Sequence, residues 1–112
     1  MSLKNSHCKL DRDLKKLNLK ETQEYANEIS NWDLNTIEPI ALRKTYTLKS
    51  FKAAMEFTNK IAQLSETENH HPDILIEYKK VTITLTTHAV NGLSENDFIL
   101  AAKIDELKNN NP

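Results

Sequence analysis

A single glycine, Gly92, stands among the 112 residues of this chain, although glycine normally makes up roughly 7% of a protein. A phosphate-binding P-loop needs two glycines at fixed spacing, and a dinucleotide-binding turn needs two or three. The reason is that backbone must approach phosphate where a Cβ would intrude. Neither loop can be built here, and neither can a glycine-rich linker. The chain must fold and function without phosphate-binding loops of these kinds.

The rest of the composition is typical of one small soluble domain. The chain is 38% hydrophobic and 28% charged, and its length falls within the usual domain range of roughly 100–150 residues. Its longest apolar run, Phe98 to Ala102, is far shorter than the ~20 residues of a membrane span. No secretory signal follows the start, and the single Cys8 suits a reducing compartment. We expect a cytoplasmic protein that does not contact membranes.

Charge is spread unevenly along the chain. The net charge is −1, which argues against direct nucleic-acid binding, because such domains are usually basic. Residues 1–20 nevertheless carry six basic side chains against two acidic ones. We interpret residues 1–18 as a basic leader that is solvated and partly disordered. A basic arm that touches an acidic partner is the alternative.

Hydrophobic periodicity divides the remaining chain into seven elements. The predicted elements are a helix at about 21–30, strands at 31–35 and 40–48, a helix from 51 to 66 or 68, strands at 74–76 and 81–88, and a helix from 95 to about 107. The order α-β-β-α-β-β-α predicts an α+β single domain. Two hairpins would form a four-stranded antiparallel sheet with helices packed on one face. We place the domain at residues 19–108 and a frayed terminus at 109–112.

Residues that typically form turns, cap helices or end them support these boundaries. Glu38-Pro39 marks the turn between the first two strands. Ser50 is a favourable N-cap for the long helix, and Pro72 must stop that helix. With glycine so scarce, we expect Gly92 to adopt positive φ in the turn before the last helix. Lys79, in the tight turn of the second hairpin, is expected to be forced into left-handed geometry.

The strand predicted at 81–88 shows the clearest alternation in the chain. Val81, Ile83 and Leu85 point one way and should face the helices. The threonines between them point the other way, to a face that is either exposed to solvent or used for association. Alternatively, the high strand propensity of threonine is enough to explain its presence there. Edge strands with little proline protection make edge-to-edge pairing a plausible dimer mode.

Three of the four histidines are predicted to converge. His70 and His71 precede the third strand, and His88 ends the fourth. In an antiparallel hairpin the start of one strand lies beside the end of the other, so these histidines should meet in space. His7 lies in the leader and is interpreted as a spectator. Three histidines can form a zinc site. Adjacent residues in extended chain point to opposite sides, however, so we expect no metal.

The histidines belong to a longer spaced set of residues. The set is Glu66, His70-His71-Pro72, Tyr78, His88 and Asp97, within the runs Glu-Asn-His-His-Pro-Asp at 68–73, Val-Thr-Ile-Thr-Leu-Thr-Thr-His at 81–88, Gly-Leu-Ser at 92–94 and Ala-Ala-Lys-Ile-Asp at 101–105. Over about residues 17–107 this set resembles the signature of the pterin-4a-carbinolamine dehydratase family. One departure is Ile-Ser-Asn before Trp32, where many members have Leu-Pro-Gly. Trp32 and Tyr78 themselves are interpreted as packing residues.

The resemblance implies a reaction and a set of histidine roles. The family dehydrates 4a-hydroxytetrahydropterin to quinonoid dihydropterin, with neither a redox cofactor nor a metal. By position, the resemblance implies that His70, His71 and His88 surround the pterin. We assign His70 and His88 to proton transfer and His71 to binding and orientation.

The resemblance also implies supporting residues. Pro72 would hold the histidine pair, and Thr86 and Thr87 would read the pterin ring through backbone groups. Asp97 would orient an imidazole, as a carboxylate does for a catalytic histidine, or would only cap the last helix, because Ser94 precedes it at capping-box spacing. Glu66 would face the pocket, or it is merely a solvated helix end.

The implied partners are few. The resemblance implies a pterin substrate, a homodimer or homotetramer, and a functional link to an aromatic amino-acid hydroxylase whose pterin is recycled. The rival interpretation is a non-catalytic dimerisation module of the transcription-cofactor type. Histidines that line one pocket near Asp97 would favour the enzyme. Scattered histidines would favour the binding module.

Overall fold

The computed structural model describes residues 2–35 and 40–109. The helices and strands are α1 (Leu19–Ala26), β1 (Asp33–Asn35), β2 (Ala41–Thr47), α2 (Phe51–Glu68), β3 (Asp73–Glu77), β4 (Lys80–Leu85) and α3 (Glu95–Asn109). This order confirms the predicted α+β architecture. The turn predicted at 38–39 and the chain beyond 109 lie outside the described residues. No helix in the described ranges is long and apolar enough to cross a membrane.

The four strands form one antiparallel sheet in the order β1-β2-β4-β3. Both predicted hairpins are present, and β2 pairs with β4 so that Leu42 lies opposite Leu85. Val81, Ile83 and Leu85 are fully buried, as their alternation predicted. The sheet thus buries one face under the helices and leaves β1 and β3 at its edges.

Helix α2 begins and ends where the sequence predicted, at Phe51 and Glu68. The Ser50 hydroxyl accepts a hydrogen bond from the Ala53 N–H at 3.0 Å, the ordinary N-cap contact. Phe57 and Ile61 are fully buried on its inner face. Asn69, the residue that follows the helix, adopts left-handed geometry with φ 53°. This reversal, three residues before Pro72, turns the chain towards β3.

Helix α1 begins earlier than predicted because of its cap. The Asn18 side chain accepts from the Glu21 N–H at 2.8 Å, and the Glu21 carboxylate accepts from the Asn18 N–H at 3.1 Å. This reciprocal capping box satisfies two free donors of the first turn. It therefore sets the start at Leu19. The helix ends at Ala26, next to Tyr25, whose ring stacks on Phe98 at 5.5 Å.

Two predictions about positive φ are wrong. Gly92 does not have positive φ; the left-handed residue of that turn is Asn91, with φ 53°. In the second hairpin the left-handed residue is Tyr78, with φ 56°, and Lys79 is not. Asparagine tolerates this region because its short polar side chain can bond locally. At Gly92 an added Cβ would come within 2.7 Å of the Lys16 side chain. The absence of a side chain on Gly92 therefore leaves room for Lys16 of the leader.

The fourth strand is shorter than predicted. It ends at Leu85, and Thr87 and Gly92 then form an isolated bridge, with Thr87 N–H to Gly92 O at 2.8 Å. His88 opens a 3₁₀ turn inside the small loop that this bridge closes. His88 therefore lies in the connection to α3. The alternation had predicted that it would be the last residue of the strand, and this prediction is wrong.

The leader lies against the domain. Leu3 and Leu17 are buried, the Lys103 ammonium donates to Lys4 O at 3.0 Å, and Leu17 N–H donates to Leu93 O at 2.8 Å. Burial and the charge of Glu68 raise the pKa of Cys8 to about 12, so its thiol is protonated and unreactive at neutral pH. The described leader thus differs from a fully solvated arm.

Candidate active site

The three predicted histidines line one cavity. It has a volume of about 200 Å³ and lies where the start of β3 approaches the loop after β4. Its lining residues are Asp11, Asn69, His70, His71, Thr86, Thr87, His88 and Ala89. The structure therefore brings together the histidines that the hairpin argument placed near one another.

A larger groove elsewhere in the described structure lacks histidine chemistry. It has a volume of about 850 Å³ and contains the side chain of Asp105. That carboxylate already accepts hydrogen bonds from Trp32 Nε1 at 3.0 Å and Lys44 Nζ at 2.8 Å, and from the Tyr46 hydroxyl. Asp105 is thus engaged in holding α3 to the sheet, and the smaller histidine cavity is the better candidate site.

His70 is fixed by a buried carboxylate. Its Nε2 lies 2.7 Å from Asp97 Oδ1, and the two side chains are 7% and 0% exposed. The other Asp97 oxygen accepts from the Thr87 hydroxyl at 2.7 Å and from the Ser94 N–H at 3.0 Å. Asp97 therefore combines the two interpretations that the sequence left open, since it both caps α3 and orients an imidazole.

His71 has a more exposed environment. Its Nε2 lies 2.5 Å from Glu66 Oε2, and the two side chains are 54% and 78% exposed. Glu66 does not line the cavity; it contacts His71 from the solvent side, at the end of α2. Asn69 has a left-handed backbone and turns the chain at the end of α2. His70 and His71 therefore follow the helix directly, and His71 can reach back to Glu66.

The threonines and Pro72 have structural contacts of their own. The Thr86 hydroxyl lies 2.8 Å from Ile40 O and 3.2 Å from Gly92 O. The Thr87 hydroxyl is bonded to Ser94 and Asp97. Both residues line the cavity with their hydroxyls engaged. The Thr87 backbone is engaged as well, since its N–H donates to Gly92 O at 2.8 Å and its carbonyl accepts from the Gly92 N–H at 3.3 Å. Pro72 is half-buried beside His71 and does not line the cavity.

Sequence reasoning did not single out Asp11 or Asn69 as lining residues. Asn69 carries a usable signal, since asparagine just after a helical pattern often takes the left-handed position that ends a helix. Asp11 carries none. It lies in the leader, and no spacing pattern relates a leader residue to histidines that are distant in sequence.

The leader is held by two buried side chains next to the site. Glu68 accepts from the Cys8 N–H at 2.8 Å and lies 2.9 Å from His7 Nδ1. Asn96 accepts from the Lys9 N–H and donates to the Lys9 carbonyl, both at 2.9 Å. Burial alone would raise the pKa of Glu68. The hydrogen bonds from Cys8 and His7 and the charge of Lys103 outweigh burial and lower the pKa below its usual range.

This lowered pKa predicts an acid-sensitive contribution to stability. The contribution is complete above the unfolded-state value of about 4.3 and is lost as pH falls through the lower folded-state pKa. Glu68→Gln resembles the protonated acid, so the wild-type advantage should be constant near neutrality and shrink below about pH 4.3. Urea unfolding of both proteins from pH 7 to pH 3 measures it. Glu56→Gln, at an exposed position of the same helix, is the control, and a constant wild-type advantage over Glu68→Gln would contradict the prediction.

The fold and the cavity define a class: small α+β proteins with a histidine-rich site at the end of a hairpin in an antiparallel sheet. Residues 15–107 match the family described as Pterin 4 alpha carbinolamine dehydratase. Over 99 residues, 87% of this chain, the sequence is 39% identical to Pterin-4-alpha-carbinolamine dehydratase 2, mitochondrial, of Arabidopsis thaliana. The chain belongs to the pterin-4a-carbinolamine dehydratase family, as the spaced motif indicated. It spans about half of that curated relative, 53% of its length.

Two solved structures share the fold. One is a transcriptional coactivator/pterin dehydratase from Brucella melitensis, 28% identical, with a TM-score of 0.78 over 83% of this chain and 98% of that one. The other is a pterin dehydratase-like protein identified as a RuBisCO assembly factor in the alpha-carboxysome. It is 29% identical, with a TM-score of 0.60 over 69% of this chain and 88% of that one. The fold therefore occurs in proteins with different described roles.

Proposed function

We propose that the protein is a 4a-hydroxytetrahydrobiopterin dehydratase, a hydro-lyase that forms quinonoid dihydropterin and water. The observation that carries the proposal is the convergence of His70, His71 and His88 on one cavity, with His70 held by the buried Asp97. Membership of the family supports a pterin as the substrate.

The reaction suits imidazole chemistry. The C4a–O bond breaks, and hydroxide, a poor leaving group, takes a proton and departs as water. N5 loses its proton as the C4a–N5 double bond forms. Both steps need groups that exchange protons near neutral pH, and free imidazole has a pKa of about 6.5. The products balance without oxidation or reduction, so the proposed reaction requires no nicotinamide or flavin.

The contacts of the three histidines support a division of labour. The Asp97 carboxylate accepts from Nε2–H of His70, which fixes the tautomer and leaves Nδ1 as the basic nitrogen. His88 is exposed at the start of its 3₁₀ turn. We assign proton transfer to His70 and His88. His71, already paired with Glu66, binds and orients the ring, and the backbone of Thr86 contacts it.

The proposal includes the biological setting. Recycling of pterin for an aromatic amino-acid hydroxylase and a homodimer or homotetramer are what the family resemblance implies. A cytoplasmic location is proposed because the single Cys8 suits a reducing compartment. In the described sheet β3 is an edge strand, and its Leu75 is half-exposed, which supports edge-to-edge association. Light scattering coupled to gel filtration measures the oligomeric state, and a monomer at micromolar concentration would remove this part of the proposal.

One assay tests the activity directly. The 4a-hydroxytetrahydropterin is generated in solution, and the quinonoid product is followed with and without purified protein. We expect a clear acceleration near neutral pH. An unchanged rate would overturn the dehydratase proposal.

A binding module is the second candidate function. The observation in its favour is the structural likeness to one protein described as a coactivator and another described as an assembly factor. A chain that self-associates but leaves the dehydration rate unchanged would favour this candidate. The histidine cavity favours the enzyme, because a module that acts only through its surface does not need three imidazoles in one pocket.

A further inference from the structure

One carboxylate in the histidine cavity has no part in the reaction proposed above. Asp11 opens the 3₁₀ turn Asp11–Asp13 of the leader and lines the cavity with His70, His71 and His88. Within residues 2–35 and 40–109, no hydrogen bond or ion pair is made to its carboxylate. The family match begins at residue 15, so the leader brings this charge to the site from outside the matched region.

Hydrogen bonds on both sides of Asp11 along the chain fix its position. Two residues before it, the Lys9 N–H and carbonyl bond to the Asn96 side chain, each at 2.9 Å. Downstream, the buried Leu17 donates its N–H to Leu93 O at 2.8 Å. Asn96 directly precedes Asp97, whose carboxylate holds His70. The leader and the catalytic imidazole are thus tied to the same turn of α3.

We propose that Asp11 is a substrate-binding residue and that the leader serves to supply it; this inference rests on the proposed function, which takes a pterin as the ligand. An ionised carboxylate only accepts hydrogen bonds. A pterin offers matching donors, namely the amino and N3–H groups along one ring edge and the hydroxyls of the C6 side chain. Charged acceptors form short, strong bonds to such donors. Asp11 therefore binds the ligand, and His70 and His88 move the protons.

The test compares two neighbouring carboxylates. Asp11→Asn removes the charged acceptor, whereas Asp13→Asn makes the same change in charge on the same 3₁₀ turn. Asp13 lines a different cavity, with Lys9 and Lys15. For Asp11→Asn we expect KM to rise about tenfold, in line with a lost hydrogen bond to a charged group, while kcat changes less than about twofold. Asp13→Asn should keep both wild-type values.

Binding of an unreactive ligand separates this inference from the dehydratase proposal. The Kd of oxidised biopterin, followed by fluorescence, should also rise about tenfold for Asp11→Asn. If the wild type does not dehydrate the carbinolamine but Asp11→Asn still weakens biopterin binding, the proposed function fails and the inference stands. If the wild type is active and Asp11→Asn keeps its KM and Kd, the inference fails alone. A wild type that does not bind biopterin would overturn the inference as well.

A second ligand distinguishes the two sources of donors. 6-Methylpterin keeps the ring edge and lacks the side-chain hydroxyls. A tenfold effect that persists with 6-methylpterin assigns Asp11 to the ring edge, and an effect confined to biopterin assigns it to the hydroxyls. Equal losses in Asp11→Asn and Asp13→Asn would show a general charge effect and overturn the inference. Because Asp11 is exposed, its variant should melt at the wild-type temperature.

Discussion

Asp97→Ala is expected to lower the free energy of unfolding by about 3–5 kcal/mol, because several buried hydrogen-bond donors lose their common partner at once. The Asp97 carboxylate is fully buried and accepts hydrogen bonds from three groups: the His70 ring, the Thr87 hydroxyl and the Ser94 N–H. Alanine satisfies none of them, and each buried donor left without a partner costs about 1–3 kcal/mol. Urea unfolding at fixed protein concentration measures the loss, because association would otherwise shift the midpoint.

Two further variants show whether the loss comes from these bonds. Asp97→Asn keeps the shape of the side chain and one oxygen acceptor, so it should retain part of the stability. Its amide nitrogen replaces one carboxylate oxygen, so it cannot satisfy all of the donors that Asp97 satisfies. Glu106→Ala removes a carboxylate from the same helix, but its ion pair with Lys4 is 3.7 Å long and half-exposed. Such pairs contribute about 0–1 kcal/mol. An Asp97→Ala protein as stable as Glu106→Ala would contradict the structural account of this network.

The sheet could be predicted because its determinants are local and repeated. In β4 the alternation of Val81, Ile83 and Leu85 with threonine predicted which face would pack against the helices, and all three side chains are fully buried. Ser50 marked the start of α2 in the same way, since a good N-cap stood directly before a helical pattern. These features can be read from neighbouring residues without knowledge of the tertiary structure.

The turns could not be predicted with the same rules. Glycine is the usual left-handed residue, but this chain uses Asn31, Asn69, Tyr78 and Asn91 with positive φ. Asparagine is common elsewhere in the sequence, so its presence alone did not identify these positions. Asn31 also explains why β1 starts at Asp33, since a left-handed residue cannot continue a strand. At Tyr78 the tight hairpin itself imposes the geometry on a bulky side chain.

The site was predictable in part. An antiparallel hairpin of β3 and β4 is enough to predict that His70 and His71 lie beside His88, and the cavity is lined by all three. The contribution of the leader was not predictable. Its contacts run from Cys8 to Glu68 and from Lys9 to Asn96, and they depend on single side chains that meet across the whole fold. No periodic pattern or motif marks such pairs, so only the structure shows that a leader residue, Asp11, lines the pocket.

His88→Ala is expected to reduce kcat by at least about 100-fold, the low end for a lost general acid or base. The His88 side chain is exposed at the mouth of the cavity, so the free energy of unfolding should change by less than about 0.5 kcal/mol. A large loss of activity with little loss of stability is what a proton-transfer role requires. Steady-state kinetics and urea unfolding of the same preparations measure both quantities.

Added imidazole distinguishes proton transfer from a role in shape. In an open cavity, free imidazole can occupy the space left by alanine and exchange the proton, so it should restore part of the His88→Ala rate. It should not affect the wild type. His7→Ala is the matched control, because this histidine is exposed and lies outside the cavity, and its kcat should equal the wild-type value. A His88→Ala enzyme with wild-type kcat would refute the proton-transfer role of His88, because alanine can neither donate nor accept a proton.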